Sequence, residues 1–213
     1  MKNVPFILLS FLLASCQQNK KLEKTLHTEN TPLQQTTEPF VQKITPHPIN
    51  CFDLPNILEA VSKRDHENRV NEIIPEIDRK NLEIVVSIIE NCGMPTAQSI
   101  DKKHIATIFL VLQHGDNYHR KKYFPLIEKA VENGDLQKSD YALMKDRILV
   151  SDGKPQIYGT QVISGSTNIN KLEVAEIEAP EYVDQRRAEM GLPPINDYLK
   201  MWDISLDIEQ KKK

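Results

Sequence analysis

The sequence is poor in the residues that build several common enzyme sites. Of its 213 residues, only seven are glycine and three are cysteine. It contains neither a Gly-rich phosphate loop nor the G-x-S-x-G turn that presents a nucleophilic serine in α/β-hydrolases. Lys and Arg number 27 against 30 Asp and Glu, for a net charge of −3, so no basic excess favours nucleic acid. Covalent catalysis by Ser or Cys and nucleic-acid binding are both disfavoured, and no motif identifies a cofactor.

The sequence also begins with an apolar run that is too short for a transmembrane helix, which needs roughly 20 residues. This run, residues 4–13, follows Lys2 and precedes Ala14, Ser15 and Cys16, which is the pattern of a signal peptide. The stretch LASC before and at Cys16 resembles the lipobox of bacterial lipoproteins. The resemblance implies that residues 1–15 are removed and Cys16 is lipidated; the alternative is a plain secretory signal with an unrelated Cys16.

Residues 16–49 predict a lipidated cysteine followed by a flexible tether, because Gln, Thr, Lys and Pro dominate and no hydrophobic period is present. Several acyl chains on Cys16 would hold the protein on a lipid bilayer. Gln17 stands after the lipidated cysteine, where Asp is absent, as in lipoproteins sent to the outer membrane. We therefore expect a cell-envelope protein that faces the periplasm, with the outer membrane as its destination.

Residues 50–213 have the length of one domain able to bury a hydrophobic core. The domain carries the other two cysteines, Cys51 and Cys92. Disulfides persist outside the cytosol, so these cysteines are either bridged or two buried thiols.

Hydrophobic periodicity predicts an α+β fold, a mainly helical domain with a small antiparallel β-sheet. We expect Asp78 and Ser99 to cap the second and third helices, and Gly115 to end the third in a left-handed conformation. Two β-prone runs predict a hairpin around residues 148–163. A further strand is expected within residues 171–178.

Several motifs occur in an order that resembles a bacterial family of uncharacterised domains. They are DHENR at 65–69, QHGD at 113–116, DR at 146–147, GKPQIYGTQ at 153–161, and VDQRR with GLPP at 183–194. The resemblance covers most of residues 57–200, with one departure at His66, where the family usually has Gln. It implies a domain of unknown function and no particular activity.

The QHGD motif has two interpretations. His114 stands at the predicted C-terminus of the third helix, where the helix dipole favours an imidazolium, and Asp116 follows two residues later. The two side chains could form an oriented His–carboxylate pair for acid–base chemistry. Alternatively, Gln113 and His114 cap the helix and Asp116 caps the next one. His119 completes H-x-D-x-x-H, which is weak evidence for a metal site, and we predict none.

The segment QIYGTQ, residues 156–161, is unusually polar for a strand. In an extended chain Gln156 and Tyr158 share one face, while Gln161 lies on the other beside Gly159. Glycine permits the close approach of a ligand or of another part of the chain. The polar face could therefore line a pocket or face water, or the glutamines could satisfy buried backbone groups.

Three arginines are further candidates. Arg147 precedes the predicted hairpin and could pair with its polar face, while Arg186 and Arg187 offer anion contacts. The alternative for the last two is that one pairs with an acidic neighbour and the other is solvated.

Two classes of function are compatible with these residues. The first is a binding or structural module whose polar cleft holds a small polar ligand, a peptide or a glycan. The cleft would contain His114, Arg147, Gln156, Tyr158 and an arginine from 186 or 187.

The second class is a water-activating, hydrolase-like enzyme. His114 would be the base, Asp116 its orienting carboxylate, and Arg147 would stabilise developing negative charge. Asp65 and Arg69, four residues apart on one helix face, are secondary candidates. An enzyme needs His114 accessible beside a carboxylate in a concave site, whereas a structural role buries it against backbone carbonyls.

Overall fold

Helices dominate the computed structural model, which describes residues 43–71, 73–165 and 172–211. A short 3-10 turn, Cys51–Asp53, precedes five long helices. These helices are α1 (Leu54–Val70), α2 (Pro75–Cys92), α3 (Lys102–His114), α4 (Asn117–Glu132) and α5 (Lys138–Ser151). The C-terminal elements are strands β1 (Val162–Ser164) and β2 (Leu172–Val174), helices α6 (Val183–Glu189) and α7 (Ile195–Leu199), and 3-10 turns Pro180–Tyr182 and Lys200–Trp202. The predicted α+β class is confirmed.

The hydrophobic core has two parts. The larger one lies among α1 to α5 and includes the fully buried Leu58, Val85, Ile108 and Ile127. The smaller one is built by the C-terminal elements around Ile195. The apolar residues of α2, α3 and α4 recur at helical spacing, so packing of these faces holds the helices together.

A disulfide joins Cys51, in the 3-10 turn before α1, to Cys92 at the end of α2. It ties the start of the domain to its second helix across 41 residues. Of the two arrangements that the sequence left open for these cysteines, the structure has the bridged one.

Three predicted helix ends are wrong. Helix α2 starts at Pro75, because proline suits the first turn, where its missing N–H costs nothing; the carboxylate of Asp78 instead binds Arg69 and the side-chain amide of Asn68. The N-cap of α3 is Asp101, and Ser99 lies before it. Gly115 has φ −67°, so it does not end α3 in the left-handed region.

The small sheet lies later in the chain than the predicted hairpin at 148–163. Helix α5 continues to Ser151, and β1 pairs antiparallel with β2 with Val162 opposite Val174. The β-prone residues 148–150 are therefore helical, because tertiary packing overrides β-propensity. The predicted strand within 171–178 is present as β2, and Gln156 forms an isolated bridge with Ile177.

The expected signal peptide and Cys16 lie outside the described residues. Among the residues that are described, none of the helices has the length and apolar character needed to cross a membrane.

Candidate functional site

A cavity of about 670 Å³ opens between α1, α3 and α5, within the range of small-molecule sites. Helix α1 contributes Ser62, Asp65, His66 and Arg69, whose spacing of three and four residues places them on one face. The secondary candidates Asp65 and Arg69 therefore belong to the cavity wall.

Helices α3 and α5 contribute both apolar and polar groups to the cavity. On α3 the lining includes Ala106, Leu110, Gln113 and His114. On α5 it consists of Asp140, Leu143 and Arg147, again at helical spacing. The walls thus combine hydrocarbon surface with a carboxylate, an amide, an imidazole and a guanidinium.

His114 pairs with Asp65 in the wall of this cavity. Nδ1 of His114 lies 3.0 Å from Oδ1 of Asp65, and the two side chains are 12% and 4% exposed. Arg69 lies 3.6 Å from the same oxygen of Asp65. The carboxylate therefore fixes the orientation of the imidazole and, as an acceptor, favours the tautomer that carries its proton on Nδ1.

Electrostatics favour an ionised Asp65 beside a neutral His114. Burial lowers the pKa of His114, and this effect outweighs the opposing attraction of Asp65. Burial acts to raise the pKa of Asp65, but hydrogen bonds and charges from His114 and Arg69 bring it below its ordinary value. Desolvation therefore opposes the imidazolium that the helix dipole favours.

Two buried polar groups of the cavity were not singled out as site residues by the sequence. The amide Nε2 of Gln113 donates to the carbonyl of Leu143 at 3.4 Å, while its Oε1 has no hydrogen-bond partner among the described residues. Asp140 is 5% exposed and accepts from the backbone N–H of Gln137 at 3.0 Å. Burial raises the pKa of Asp140 to about 6. The spacing of residues 140, 143 and 147 was the signal that could have found Asp140.

A second His–Asp pair lies outside the cavity lining. Nδ1 of His119 is 2.7 Å from Oδ2 of Asp116, and Oδ1 of Asp116 accepts from the backbone N–H of His119. Of the two interpretations of the QHGD motif, the structure does not have the pair of His114 with Asp116. Asp116 is instead the N-cap of α4, as the alternative interpretation predicted. Within the described ranges, no group of three or more His, Cys, Asp or Glu residues could hold a metal ion.

The QIYGTQ segment is a loop held by Asp146, not a strand with a free polar face. The fully buried carboxylate of Asp146 accepts hydrogen bonds from the backbone N–H groups of Ile157, Tyr158 and Thr160 and from the Thr160 hydroxyl. These four donors come from a chain that curls around one carboxylate, which no extended strand can do. Asp146 is thus a structural residue, although its neighbour Arg147 lines the cavity.

The side chain of Gln156 also forms hydrogen bonds with backbone groups. Its side chain donates to the carbonyls of Gln161 and Ala175 and accepts from the N–H of Gln161. The side chain of Gln161 in turn donates to the Thr160 hydroxyl. Of the three alternatives for this segment, the structure therefore has the glutamines satisfying buried backbone groups.

Gly159 is approached closely by a side chain. Its φ is +69°, and a Cβ there would lie 2.6 Å from Cδ1 of Ile195. The gap that a ligand could have used is filled by α7.

Both arginines of the RR pair bind loop carbonyls rather than an anion. Arg186 donates to the carbonyls of Ile157, Glu178 and Ala179. Arg187, which is fully buried, donates to the carbonyls of Pro193 and Tyr158. Its guanidinium also stacks on the ring of Tyr198. Tyr158 itself is 7% exposed and is not part of the cavity lining.

The structure thus brings His114, Arg147, Asp65 and Arg69 to one cavity and places the other candidates elsewhere. These features define a mainly helical domain with a mixed polar and apolar cavity between three helices.

The chain belongs to the family of unknown function DUF6624, whose model matches residues 56–211. The expected membership in a family of uncharacterised domains is confirmed. No match to the chain was found among curated proteins or among solved structures.

Proposed function

We propose that this protein is an envelope-anchored lipoprotein whose domain binds a small ligand in the cavity between α1, α3 and α5. The observation that carries the proposal is the buried Oε1 of Gln113, which has no partner among the described residues and belongs to a residue that lines a cavity of ligand size. Leaving a buried acceptor unsatisfied costs about 1–3 kcal/mol. A ligand that donates a hydrogen bond would remove that cost.

The walls of the cavity support a ligand with an apolar body and a polar end. Leu110, Leu143 and Ala106 offer hydrocarbon surface. His114 and Arg147 offer polar contacts at the same cavity. Binding sites for small molecules have this composition, in which apolar walls supply affinity and a few polar groups set orientation.

The envelope location rests on the lipobox-like LASC segment and on the disulfide. The Cys51–Cys92 bridge supports this location, because disulfides persist outside the cytosol, where export and lipidation of Cys16 would place the domain. Metabolic labelling with an alkyne fatty acid tests this part. We expect label on the wild-type chain and none on Cys16→Ala; a Cys16→Ala chain that still carries label would refute the assignment.

Ligand binding is tested with the neutral fluorescent probe N-phenylnaphthylamine, which brightens in apolar surroundings. Ala106→Trp places a large side chain in the cavity, and Ala60→Trp makes the same change on an exposed part of α1 that does not line it. We expect saturable fluorescence with the wild type and with Ala60→Trp, and its loss with Ala106→Trp. Equal signals from both tryptophan variants would mean that the probe does not bind in the cavity.

Acid–base catalysis in the same cavity is a second candidate function, favoured by the Asp65–His114 pair. With Asp65 at Nδ1, the Nε2 atom of a neutral His114 is the basic nitrogen. In a hydrolysis, Nε2 would take a proton from water as its oxygen attacks an acyl carbon, and would return that proton to the leaving group. Arg147, on the same cavity, would stabilise the developing oxyanion.

The two His–Asp pairs supply a matched test of catalysis. We expect hydrolysis of p-nitrophenyl acetate to fall in His114→Gln and to persist in His119→Gln. Because burial lowers the pKa of His114, activity should rise with pH through a midpoint below 6.5. Equal activity in the two variants would remove the enzymatic alternative and leave the binding function untouched.

A further inference from the structure

We infer that the ligand of this cavity is an alkyl- or arylammonium ion, whose charged group is bound between the carboxylate of Asp140 and the Oε1 atom of Gln113. The inference rests on the proposed binding function and specifies the chemical class of the ligand. Three observations carry it: the free acceptor of Gln113, the position of Asp140 and the engagement of the neighbouring cations.

The first observation is that Gln113 presents an acceptor rather than a donor. The residue is 4% exposed, and its amide nitrogen is already directed at the carbonyl of Leu143. Only Oε1 is left without a partner among the described residues. A ligand that meets this atom must donate a hydrogen bond, as an ammonium does and a carboxylate does not.

The second observation is that Asp140 lies on the same wall. Leu143, whose carbonyl receives the Gln113 amide, is three residues after Asp140 on α5, and both line the cavity. Asp140 accepts from Gln137 N–H through Oδ2. Burial of this carboxylate raises its pKa to about 6, so a cation brought beside it would relieve the cost of its charge.

The third observation concerns the cations around the cavity. Lys102 donates to the carbonyl of Gly134 at 2.6 Å, and Lys103 pairs with Glu59 at 2.9 Å. Arg69 is paired with Asp65 and Asp78. These contacts direct three positive groups to other partners, which lowers their repulsion of a bound ammonium.

Arg147 is separated from the inferred ammonium site along α5. It is seven residues after Asp140, which corresponds to about 10 Å of helix. The apolar body of the ligand can occupy the space between these two ends, against Leu110 and Leu143. The charge pattern therefore orients the ligand, with its ammonium at Asp140.

The chemical class of the ligand is tested separately from ligand binding itself with three probes of equal chain length: octylammonium, octanol and octanoate. Their affinities for the unlipidated full chain are measured by calorimetry at about pH 8, where a carboxyl with a pKa near 6 is ionised. We expect octylammonium to bind most tightly, by roughly 10- to 100-fold over octanol, as a charge-assisted hydrogen bond provides. Octanoate should bind most weakly.

Variants locate the ammonium site. Asp140→Asn should remove the preference for octylammonium, while Asp116→Asn, which changes another helix-capping carboxylate outside the cavity lining, should keep it. Gln113→Met should weaken octylammonium binding without loss of thermal stability, which tests the site at its second residue independently of Asp140. A preference that survives both cavity substitutions would overturn the assignment.

The possible failures are distinguishable. If octanoate or octanol binds as well as octylammonium and Ala106→Trp abolishes all binding, the ammonium class is wrong and the cavity remains a ligand site. If neither these probes nor N-phenylnaphthylamine binds the wild type, the binding function itself fails.

Discussion

Helix α5 separates two regions that use similar residues in different ways. On one side, Asp146 and Gln156 hold the loop 156–161, and every polar atom of their side chains has a backbone or hydroxyl partner. On the other side, Gln113 and Asp140 line a cavity, and Oε1 of Gln113 has no partner among the described residues. The side chains of Asp146 and Gln156 are satisfied by the protein itself, whereas Gln113 keeps an acceptor without a partner among the described residues.

The comparison shows that burial of a polar residue does not by itself indicate a site. Gln113 and Gln156 are both buried glutamines, 4% and 0% exposed. What distinguishes them is whether their hydrogen bonds are made within the protein. The same distinction predicts how each region responds to substitution.

Asp146→Asn should produce the largest loss of stability. The change keeps the shape of the side chain but directs an amide N–H₂ at a site occupied by backbone N–H donors. We expect the free energy of unfolding in urea to fall by about 3–5 kcal/mol.

Asp152→Asn is the matched control, because Asp152 follows the same helix and binds Lys121 and Asn117 near the surface. It should cost less than about 1 kcal/mol. Equal losses at the two positions would show that the loop is not organised by Asp146.

Gln156→Met should cost about 2–3 kcal/mol. Methionine has a similar length but leaves the N–H of Gln161 and the carbonyl of Ala175 without the contacts that Gln156 makes. Urea unfolding of the unlipidated chain measures the loss. A change within about 0.5 kcal/mol, as at surface positions, would contradict the architectural role.

Asp140→Asn should instead stabilise the empty protein at neutral pH. The pKa of Asp140 is raised from 3.8 to about 6, so the folded state binds the proton more tightly than the unfolded state. Stability from this group is therefore present below about pH 4 and is lost as pH rises through about 6. Above that pH, the free energy of unfolding of Asp140→Asn should exceed that of wild type by on the order of 1–2 kcal/mol. The Oδ1 atom of the new asparagine still accepts from the backbone N–H of Gln137.

The measurement is the difference in unfolding free energy between wild type and Asp140→Asn across that pH range. The difference should shrink toward zero at about pH 4. A constant difference would mean that the carboxylate does not titrate in a desolvated position.

Much of the fold could be predicted from the sequence, because the apolar residues of α2, α3 and α4 keep helical spacing. The sheet could be placed only in part, since residues 148–150 have β-propensity but continue α5. Local propensity does not predict that Asp146 accepts hydrogen bonds from a loop eleven or more residues later in the chain.

The candidate site was predicted in part for a similar reason. His114, Arg147, Asp65 and Arg69 do line one cavity, but the partner of His114 is Asp65, 49 residues earlier, rather than Asp116 nearby. Sequence proximity offered only Asp116 as a carboxylate partner for His114, because contacts between α1 and α3 do not follow from local spacing. The polar residues of QIYGTQ likewise do not indicate whether their hydrogen-bond partners are backbone groups or a ligand.

The most direct test of the central contrast is the same substitution made once in each region. Gln113→Met and Gln156→Met are compared by urea unfolding of the unlipidated chain without ligand. We expect Gln156→Met to be less stable than Gln113→Met by about 2 kcal/mol or more, with Gln113→Met at or slightly above wild type. Equal losses in the two variants would contradict it, because Gln113 would then be as much a part of the architecture as Gln156.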